Sequence, residues 1–292
     1  MSNILLILAA GPAIALCVYV FSKDRVEKEP LGLLLSLMFF GALIAIPVSI
    51  FESKLSIAID NFFANFAVSY TPDGYYVLTE SGNFWYNAAV AFIGVALIEE
   101  GFKWIVLFVM TRNNKNFNSY FDGIVYAVFV SLGFALLENV LYVFDYGFST
   151  GLSRMFTAIP GHFFFAVMMG WNYSNWHVRR DANRLIDRLM LPNSIPCNKY
   201  LANSLIVPVL LHGFYDLCCF NTSEFWSVVF IVFLIIMYIF CFNKVRQLSK
   251  ADAPGAAYSI VLAAQANPEH RDRIAAYIES LASEYTTTSY SE

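Results

Sequence analysis

The chain has 292 residues, of which 58% are hydrophobic, 17% are aromatic and only 14% are Asp, Glu, Lys or Arg, with a formal net charge of −4. A soluble domain carries about 25% charged residues, so the composition excludes a soluble protein and predicts a polytopic α-helical membrane protein in contact with the lipid bilayer. No basic stripe is present, which predicts no nucleic-acid partner. The sequence contains no glycine-rich phosphate loop, which argues against nucleotide-driven transport.

Seven apolar segments approach the length of about 20 residues that a membrane-crossing helix needs. They lie near residues 4–21, 32–51, 85–110, 122–144, 155–176, 202–220 and 225–242. The first segment has no basic start or cleavage site and ends at Lys23-Asp24-Arg25, so we interpret it as an uncleaved anchor. The predicted fold class is an all-α, polytopic transmembrane helical bundle of about seven spans.

Basic residues concentrate in alternate loops, and such loops face the cytoplasm. They are Lys23, Arg25 and Lys28 after the first segment, Arg112 and Lys115 after the third, Arg179, Arg180, Arg184, Arg188 and Lys199 after the fifth, and Lys244, Arg246 and Lys250 after the seventh. The other loops contain only Lys54 and Arg154. This pattern predicts an external N-terminus, a cytoplasmic C-terminus and a multi-pass protein of the cell inner (cytoplasmic) membrane.

Two regions outside the seven segments have recognisable patterns. In the first outer loop, apolar residues at helical spacing from Leu55 to Phe66 predict an interfacial helix, and Thr71-Pro72-Asp73-Gly74 predicts a turn. We predict a membrane core over residues 1–245 and a cytoplasmic tail over residues 246–292. In the tail, one amphipathic helix is expected, capped by Asn267, with a disordered end after Thr286.

The third segment contains Glu99, Glu100 and Lys103. An ionisable group inside a span costs about 2.5–3.5 kcal/mol and is usually paired or functional. Glu99 and Lys103 are four residues apart and share a helix face, whereas Glu100 points about 100° away. We therefore expect Lys103 to neutralise one carboxylate and leave the other in a low-dielectric site, where it can act as a general base.

The next three segments also contain polar groups. Glu138 lies well inside the fourth segment, and His162 follows Pro160-Gly161 in the fifth. The sixth contains His212 and Asp216 at positions i and i+4 of one helix face. Such a set can hold Zn²⁺ or orient a water molecule for attack on an amide carbonyl. A proton relay in a coupled transporter, and a non-catalytic membrane scaffold, are the two alternatives that the residues leave open.

The ordered set of motifs resembles the PrsW family of intramembrane proteases, which is related to the type II CAAX prenyl endopeptidases and the bacteriocin-processing enzymes. The motifs are Glu99-Glu100-x-x-Lys103, Phe134-x-x-x-Glu138, His162 and His212-x-x-x-Asp216. The segment from Lys23 to Pro30 and the segment from Phe121 to Tyr126 are also similar to that family. The likeness extends over most of residues 1–245.

This resemblance implies a membrane-embedded endopeptidase that cleaves a single-span membrane protein, such as an anti-sigma factor at its first cleavage site. It implies that Glu99 or Glu100 is the base and that Lys103 and Asp216 belong to the catalytic set, Asp216 orienting His212. It further implies His162, His212 and Glu138 as metal ligands or oxyanion stabilisers, with zinc as the expected metal. The retained double glutamate distinguishes the chain from the non-catalytic scaffold subunit of the same superfamily. The oligomeric state stays open.

Overall fold

The structure is a computed structural model that describes residues 2–288 of the chain, with side chains described for residues 7–280. This part of the chain is almost entirely α-helical. The helices are α1 (Ser2–Lys23), α2 (Leu31–Leu43), α3 (Ala45–Ala64), α4 (Glu80–Ala89), α5 (Leu97–Thr111), α6 (Asp122–Tyr146), α7 (Phe148–Phe156), α8 (Ala158–Arg188), α9 (Asn198–Phe220), α10 (Glu224–Lys250), α11 (Gly255–Ala266) and α12 (Arg271–Thr288). Residues 289–292, at the end predicted to be disordered, lie outside the described residues, and α12 includes the two residues that follow Thr286.

The helix predicted in the first outer loop is not a separate element. It is the second half of α3, which follows α2 after the single residue Ile44. Pro47 explains the break, because proline has no N–H for the carbonyl four residues earlier and its ring clashes there. That carbonyl belongs to Leu43, the last residue of α2. Beyond Pro47 nothing interrupts the helix, so it continues past the predicted end of the span.

A short hairpin follows α3. Strands β1 (Ser69–Tyr70) and β2 (Tyr76–Val77) pair antiparallel, with Ser69 opposite Val77. The predicted turn is confirmed between them: the Gly74 N–H donates to the Thr71 carbonyl at 2.9 Å, and Gly74 has a φ of +85°. Glycine adopts this left-handed backbone without steric cost.

Helix α6 occupies the centre of the bundle and packs against α1, α2, α5 and α8. Every residue from Asp122 to Ala135 is buried. Glycines allow the backbones of α2 and α6 to touch. A Cβ atom on Gly41 would lie 2.1 Å from the Val130 carbonyl oxygen, and one on Gly133 would lie 2.1 Å from that of Met38. Small residues at such crossings are typical of membrane helices, whose association depends on close packing.

Five helical stretches of the described residues are long and apolar enough to cross a membrane, judged by length and composition. They are Leu31–Ala64, Asp122–Tyr146, Phe148–Arg188, Asn198–Phe220 and Glu224–Lys250. The protein is therefore an all-α, multi-pass membrane protein. The segment near 85–110 is not among the five; α4, the π-helical stretch Val90–Ala96 and α5 follow one another there without a gap. In the first segment, the residues with described side chains form the apolar stretch Ile7–Lys23 of α1.

The tail has two helices where the sequence predicted one. Helix α11 packs on α8 and contributes Ala263 to a small apolar cluster with Ile186, Leu191 and Ile274 of α12. Its alanine-rich sequence has no polar face and therefore no amphipathic pattern. Asn267 has a different role from the predicted cap: its side chain accepts from the Asn193 N–H and donates to the Asn193 carbonyl.

The crossing of α2 and α6 can be tested with Gly41→Ala. The new Cβ would overlap the Val130 carbonyl, so the helices must separate and the free energy of unfolding should fall by about 1–3 kcal/mol. Thermal unfolding of the purified protein in detergent measures the loss. Gly32→Ala, on the same helix but with nothing within 4 Å of its Cβ, is the control. Equal stability of the two variants would contradict the close-packed crossing.

Candidate active site

The two glutamates begin α5 directly after an irregular stretch of helix. Val90–Ala96 is π-helical, and α5 starts at Leu97. A π-helical turn holds more residues than an α-helical turn and often lies beside a functional site. It changes the direction in which the following side chains point. Glu99 and Glu100 are both buried in the interior of the bundle, with Lys103 one turn later.

The Lys103 ammonium is the centre of the site. It is fully buried and lies 2.8 Å from Glu99 Oε2, 2.8 Å from Glu100 Oε1 and 3.1 Å from His162 Nδ1. The expectation that one carboxylate would stay unpaired is wrong. A lysine reaches partners at both i−3 and i−4. The three ammonium hydrogens therefore have three acceptors, which offsets much of the cost of burying the charge.

His162 connects Lys103 to Glu138. Because its Nδ1 accepts from the ammonium, its Nε2 carries the hydrogen and donates to Glu138 Oε2 at 3.0 Å. The same carboxylate oxygen lies 2.9 Å from an Arg154 guanidinium nitrogen. The Ser131 hydroxyl donates to the His162 carbonyl at 3.0 Å and fixes that turn of α8 against α6. The ring is thus held at both nitrogens.

His212 makes a parallel connection on α9. Its Nδ1 lies 3.0 Å from Glu100 Oε1, and its Nε2 lies 3.4 Å from Asp216 Oδ2. The imidazole stacks on the Phe165 ring with centroids 4.8 Å apart, and it faces His162 edge-on at 5.5 Å. Because a hydrogen-bonded carboxylate fixes the tautomer and orientation of an imidazole, Glu100 can set how the His212 ring is oriented, with the Asp216 carboxylate close to its other nitrogen.

A cavity of about 470 Å³ opens beside these residues. Its polar lining is Glu52, Glu99, Glu138, Arg154, His162, His212 and Asp216, and its apolar lining includes Val48, Phe134, Leu141 and Phe165. Glu100 and Lys103 do not line the cavity and lie behind Glu99. Of the two adjacent glutamates, therefore, Glu99 faces the space where a substrate would lie.

The structure brings all seven sequence-predicted residues into one connected cluster. Two further residues were missed, Glu52 and Arg154. Arg154 was counted as a loop charge, and Glu52 lay just beyond the predicted end of the second span. In the sequence, a carboxylate at the end of a long apolar stretch is the pattern that could have identified Glu52 as a site residue. Its Oε1 atom is buried and makes no hydrogen bond among the described residues.

The residues fit a metal ion, although with a different grouping from the predicted one. Glu99, Glu100 and His212 each offer a ligand atom, and these atoms lie within 4.8 Å of one another. Carboxylate oxygen and imidazole nitrogen together suit zinc. Within the described part of the chain, the predicted ligands His162 and Glu138 do not belong to such a group. They hydrogen-bond to each other instead.

Comparisons with known proteins point to one family. The family described as "PrsW family intramembrane metalloprotease" matches residues 29–242. The chain is 30% identical to Protease PrsW of Geobacillus kaustophilus over 86% of its own length and 95% of that relative. It is 28% identical to Protease PrsW of Bacillus subtilis over 82% of its length and 94% of that relative. No solved structure matches the chain at a significant level.

The central ion cluster predicts the effect of Lys103→Met on stability. Removal of the ammonium leaves Glu99 and Glu100 buried without a cation, so the free energy of unfolding should fall by about 3–5 kcal/mol. Denaturant or thermal unfolding in detergent measures this.

A double variant that combines Lys103→Met with Glu100→Gln completes this test. Because Glu100→Gln removes one of the two uncompensated carboxylate charges, the double variant should be more stable than Lys103→Met alone. If the two losses simply add, Lys103 and Glu100 are not coupled and the proposed role of the ammonium is incorrect.

Proposed function

This chain belongs to the PrsW family of intramembrane metalloproteases and is a membrane-embedded endopeptidase, in which we propose that Glu99 is the general base. The observation that carries the assignment is the position of the two glutamates. The Glu99 side chain lines the cavity with 6% of its surface exposed, whereas the Glu100 side chain is fully buried behind it. Of these two glutamates, therefore, only Glu99 can exchange a proton with a water molecule in the cavity.

The proposed reaction is hydrolysis of a peptide bond. Water attacks the carbonyl carbon while Glu99 takes one of its protons, and the resulting adduct carries the negative charge on the former carbonyl oxygen. When the C–N bond breaks, the proton on Glu99 passes to the departing amine. Lys103 holds the Glu99 carboxylate in place, and the Arg154 guanidinium is a cavity-lining cation available to the developing oxyanion.

We assign the metal to Glu100 and His212, and we propose that it is zinc. Both residues belong to the group that fits an ion. His162 is not a ligand in this proposal, because Lys103 and Glu138 already bond its two ring nitrogens. A bound zinc ion supplies Lewis acidity toward the carbonyl oxygen. Asp216 lies 3.4 Å from His212 and Glu138 accepts from His162, so both carboxylates orient an imidazole. In this proposal, Glu138 orients His162 and is not a metal ligand, in contrast to the role predicted from the sequence.

The proposed topology has seven spans, with α1 and the α4–α5 segment added to the five long apolar stretches. The loops rich in basic residues then place the N-terminus outside and the C-terminus in the cytoplasm of the inner membrane. Residues 1–245 form the catalytic core and residues 246–292 the tail in this division. The cavity lies at the late part of α6 and the early part of α8, near Tyr142 and Thr157. With this orientation, the active site is in the outer half of the bilayer.

A protease of this family acts on a membrane protein within the lipid environment. We propose a single-span protein as the substrate, an anti-sigma factor being one example. The cavity supports this choice because it is lined by carboxylates and aromatic rings and is large enough for a short unwound peptide rather than a packed domain. Its volume is about 470 Å³.

The base assignment predicts that Glu99→Gln lowers cleavage by about 10²–10⁴-fold while substrate binding persists. Quantitative membrane proteomics of cells with the variant should show a single-span protein that accumulates uncut. The same protein should co-purify with the variant. Glu80→Gln changes an exposed carboxylate at the start of α4 and is the control. Undiminished cleavage by Glu99→Gln would refute the assignment.

The ligand assignment predicts a separate result for metal content. The zinc affinity of the purified protein should fall by about tenfold or more in His212→Gln and in Glu100→Gln, and change little in Glu99→Gln. Glu138→Gln should keep the metal, because Glu138 contacts His162 and Arg154, neither of which is a proposed ligand. Elemental analysis after dialysis against a weak chelator measures this. Loss of the metal in Glu138→Gln and its retention in Glu100→Gln would instead favour the ligand set predicted from the sequence.

A further inference from the structure

A second acidic cluster lies at the opposite end of α6 from the active site. Asp24 follows α1, Glu29 precedes α2, and Asp122 is the first residue of α6. One carboxylate oxygen from each lies within 4.8 Å of the others, and all three residues are buried. Glu138 is about 24 Å further along α6, at about 1.5 Å per residue. The active site therefore does not explain this cluster.

Two of the three carboxylates have hydrogen-bond donors. Asp122 Oδ2 accepts from the backbone N–H groups of Asn118 and Ser119, at 2.8 Å and 2.6 Å. Glu29 Oε2 accepts from the Tyr126 hydroxyl. These bonds hold the two carboxylates in fixed positions, as a preformed site requires.

Asp24 has no such partner. Only 2% of its surface is exposed, and neither side-chain oxygen makes a hydrogen bond among the described residues. A buried carboxylate without partners is costly and demands an explanation. Since one oxygen of Asp24 lies within reach of Glu29 and Asp122, the side chain points into the cluster rather than away from it.

No basic side chain among residues 7–280 forms an ion pair with the cluster. The Lys28 ammonium is nearby, but it donates to the backbone carbonyls of Phe21 and Asp24. Asp252 adds a fourth carboxylate, which is connected to Asp122 through the Ser119 hydroxyl. The cluster thus has an excess of negative charge that no ion pair among the described residues balances.

Burial together with this excess raises the pKa of Asp24 to about 6, and burial together with Asp122 raises that of Glu29 to about 8. The ionised forms therefore repel one another when nothing positive lies between them. Two kinds of group can relieve this repulsion, protons or a cation. The shape of the cluster favours a cation, because carboxylate oxygens from the loop between α1 and α2 (Asp24 and Glu29) and from the first residue of α6 (Asp122) converge on one point.

We propose that Asp24, Glu29 and Asp122 bind one divalent cation of the hard, oxygen-preferring type, Mg²⁺ or Ca²⁺. All three ligands are carboxylates, with no imidazole or thiolate in the group, which suits these ions rather than zinc. The bound ion joins the end of α1, the start of α2 and the start of α6. Through Ser119 and Asp252 it also fixes the segment that leads into α11.

The test uses the purified full chain in detergent after removal of metals with a chelator. Addition of MgCl₂ or CaCl₂ should raise the Tm of the wild-type protein by about 3 °C or more beyond NaCl of equal ionic strength, because a ligand that binds only the folded state stabilises it. Comparison of the two salts identifies the preferred ion, and calorimetric titration should give one ion per chain.

Asp24→Asn is the decisive variant, since Asp24 accepts no hydrogen bond and its replacement loses none. In chelator, Asp24→Asn should be at least as stable as wild type, because it removes repulsion. The rise in Tm with Mg²⁺ or Ca²⁺ should disappear. Glu29→Gln is a second variant that keeps an acceptor for Tyr126, and it should also abolish the rise.

Two controls separate this site from other carboxylates. Glu27→Gln changes an exposed neighbour that accepts from the Asn118 side chain, and it should keep the rise in Tm. Glu99→Gln changes the active site and should keep it too. A wild-type Tm that neither salt raises would overturn the proposal and assign the cluster to bound protons. An undiminished rise in both Asp24→Asn and Glu29→Gln would place the cation elsewhere.

Discussion

The buried ammonium of Lys103 is the group on which the arrangement of the active site depends. An ammonium inside a bilayer-embedded bundle must have its hydrogens satisfied, and here two glutamates of the same helix and an imidazole of α8 accept them. From those acceptors, hydrogen bonds and ion pairs continue to Glu138 on α6 and to His212 on α9. One connected polar network therefore fixes how α5, α6, α8 and α9 are rotated about their axes. The members of such a network are costly to leave unpaired.

The apolar packing makes this network possible. Helices in lipid gain little from the hydrophobic effect and must associate through close contact and polar bonds. The glycines at the α2–α6 crossing let the two backbones touch, and a similar approach occurs between Gly123 of α6 and Gly170 of α8. With its neighbours this close, α6 is buried over more than half its length. It can then carry a catalytic-site carboxylate near one end and an acidic cluster at the other.

The two polar clusters differ in how charge is balanced. Around the first cluster, Lys103 and Arg154 pair with Glu99, Glu100 and Glu138, and a cavity of about 470 Å³ opens beside them. At the start of α6, hydrogen bonds hold two carboxylates in place while the third has no partner. The first arrangement suits a site that must exchange protons with a substrate. The second suits a fixed ion that joins chain segments.

The sequence by itself determined the membrane class, the approximate helices and the identities of the polar residues. These follow from composition and from periodicity within one helix, which also places Glu99 with Lys103 and His212 with Asp216. Only the tertiary structure decided which residues meet across helices, because such contacts depend on how each helix is rotated and where it crosses its neighbours. The bonds from His162 to Glu138 and from His212 to Glu100, the exposure of Glu99 rather than Glu100, and the places of Glu52 and Arg154 at the cavity all arise in this way. The convergence of Asp24, Glu29 and Asp122 has the same origin, since no local pattern joins the loop between α1 and α2 to the start of α6.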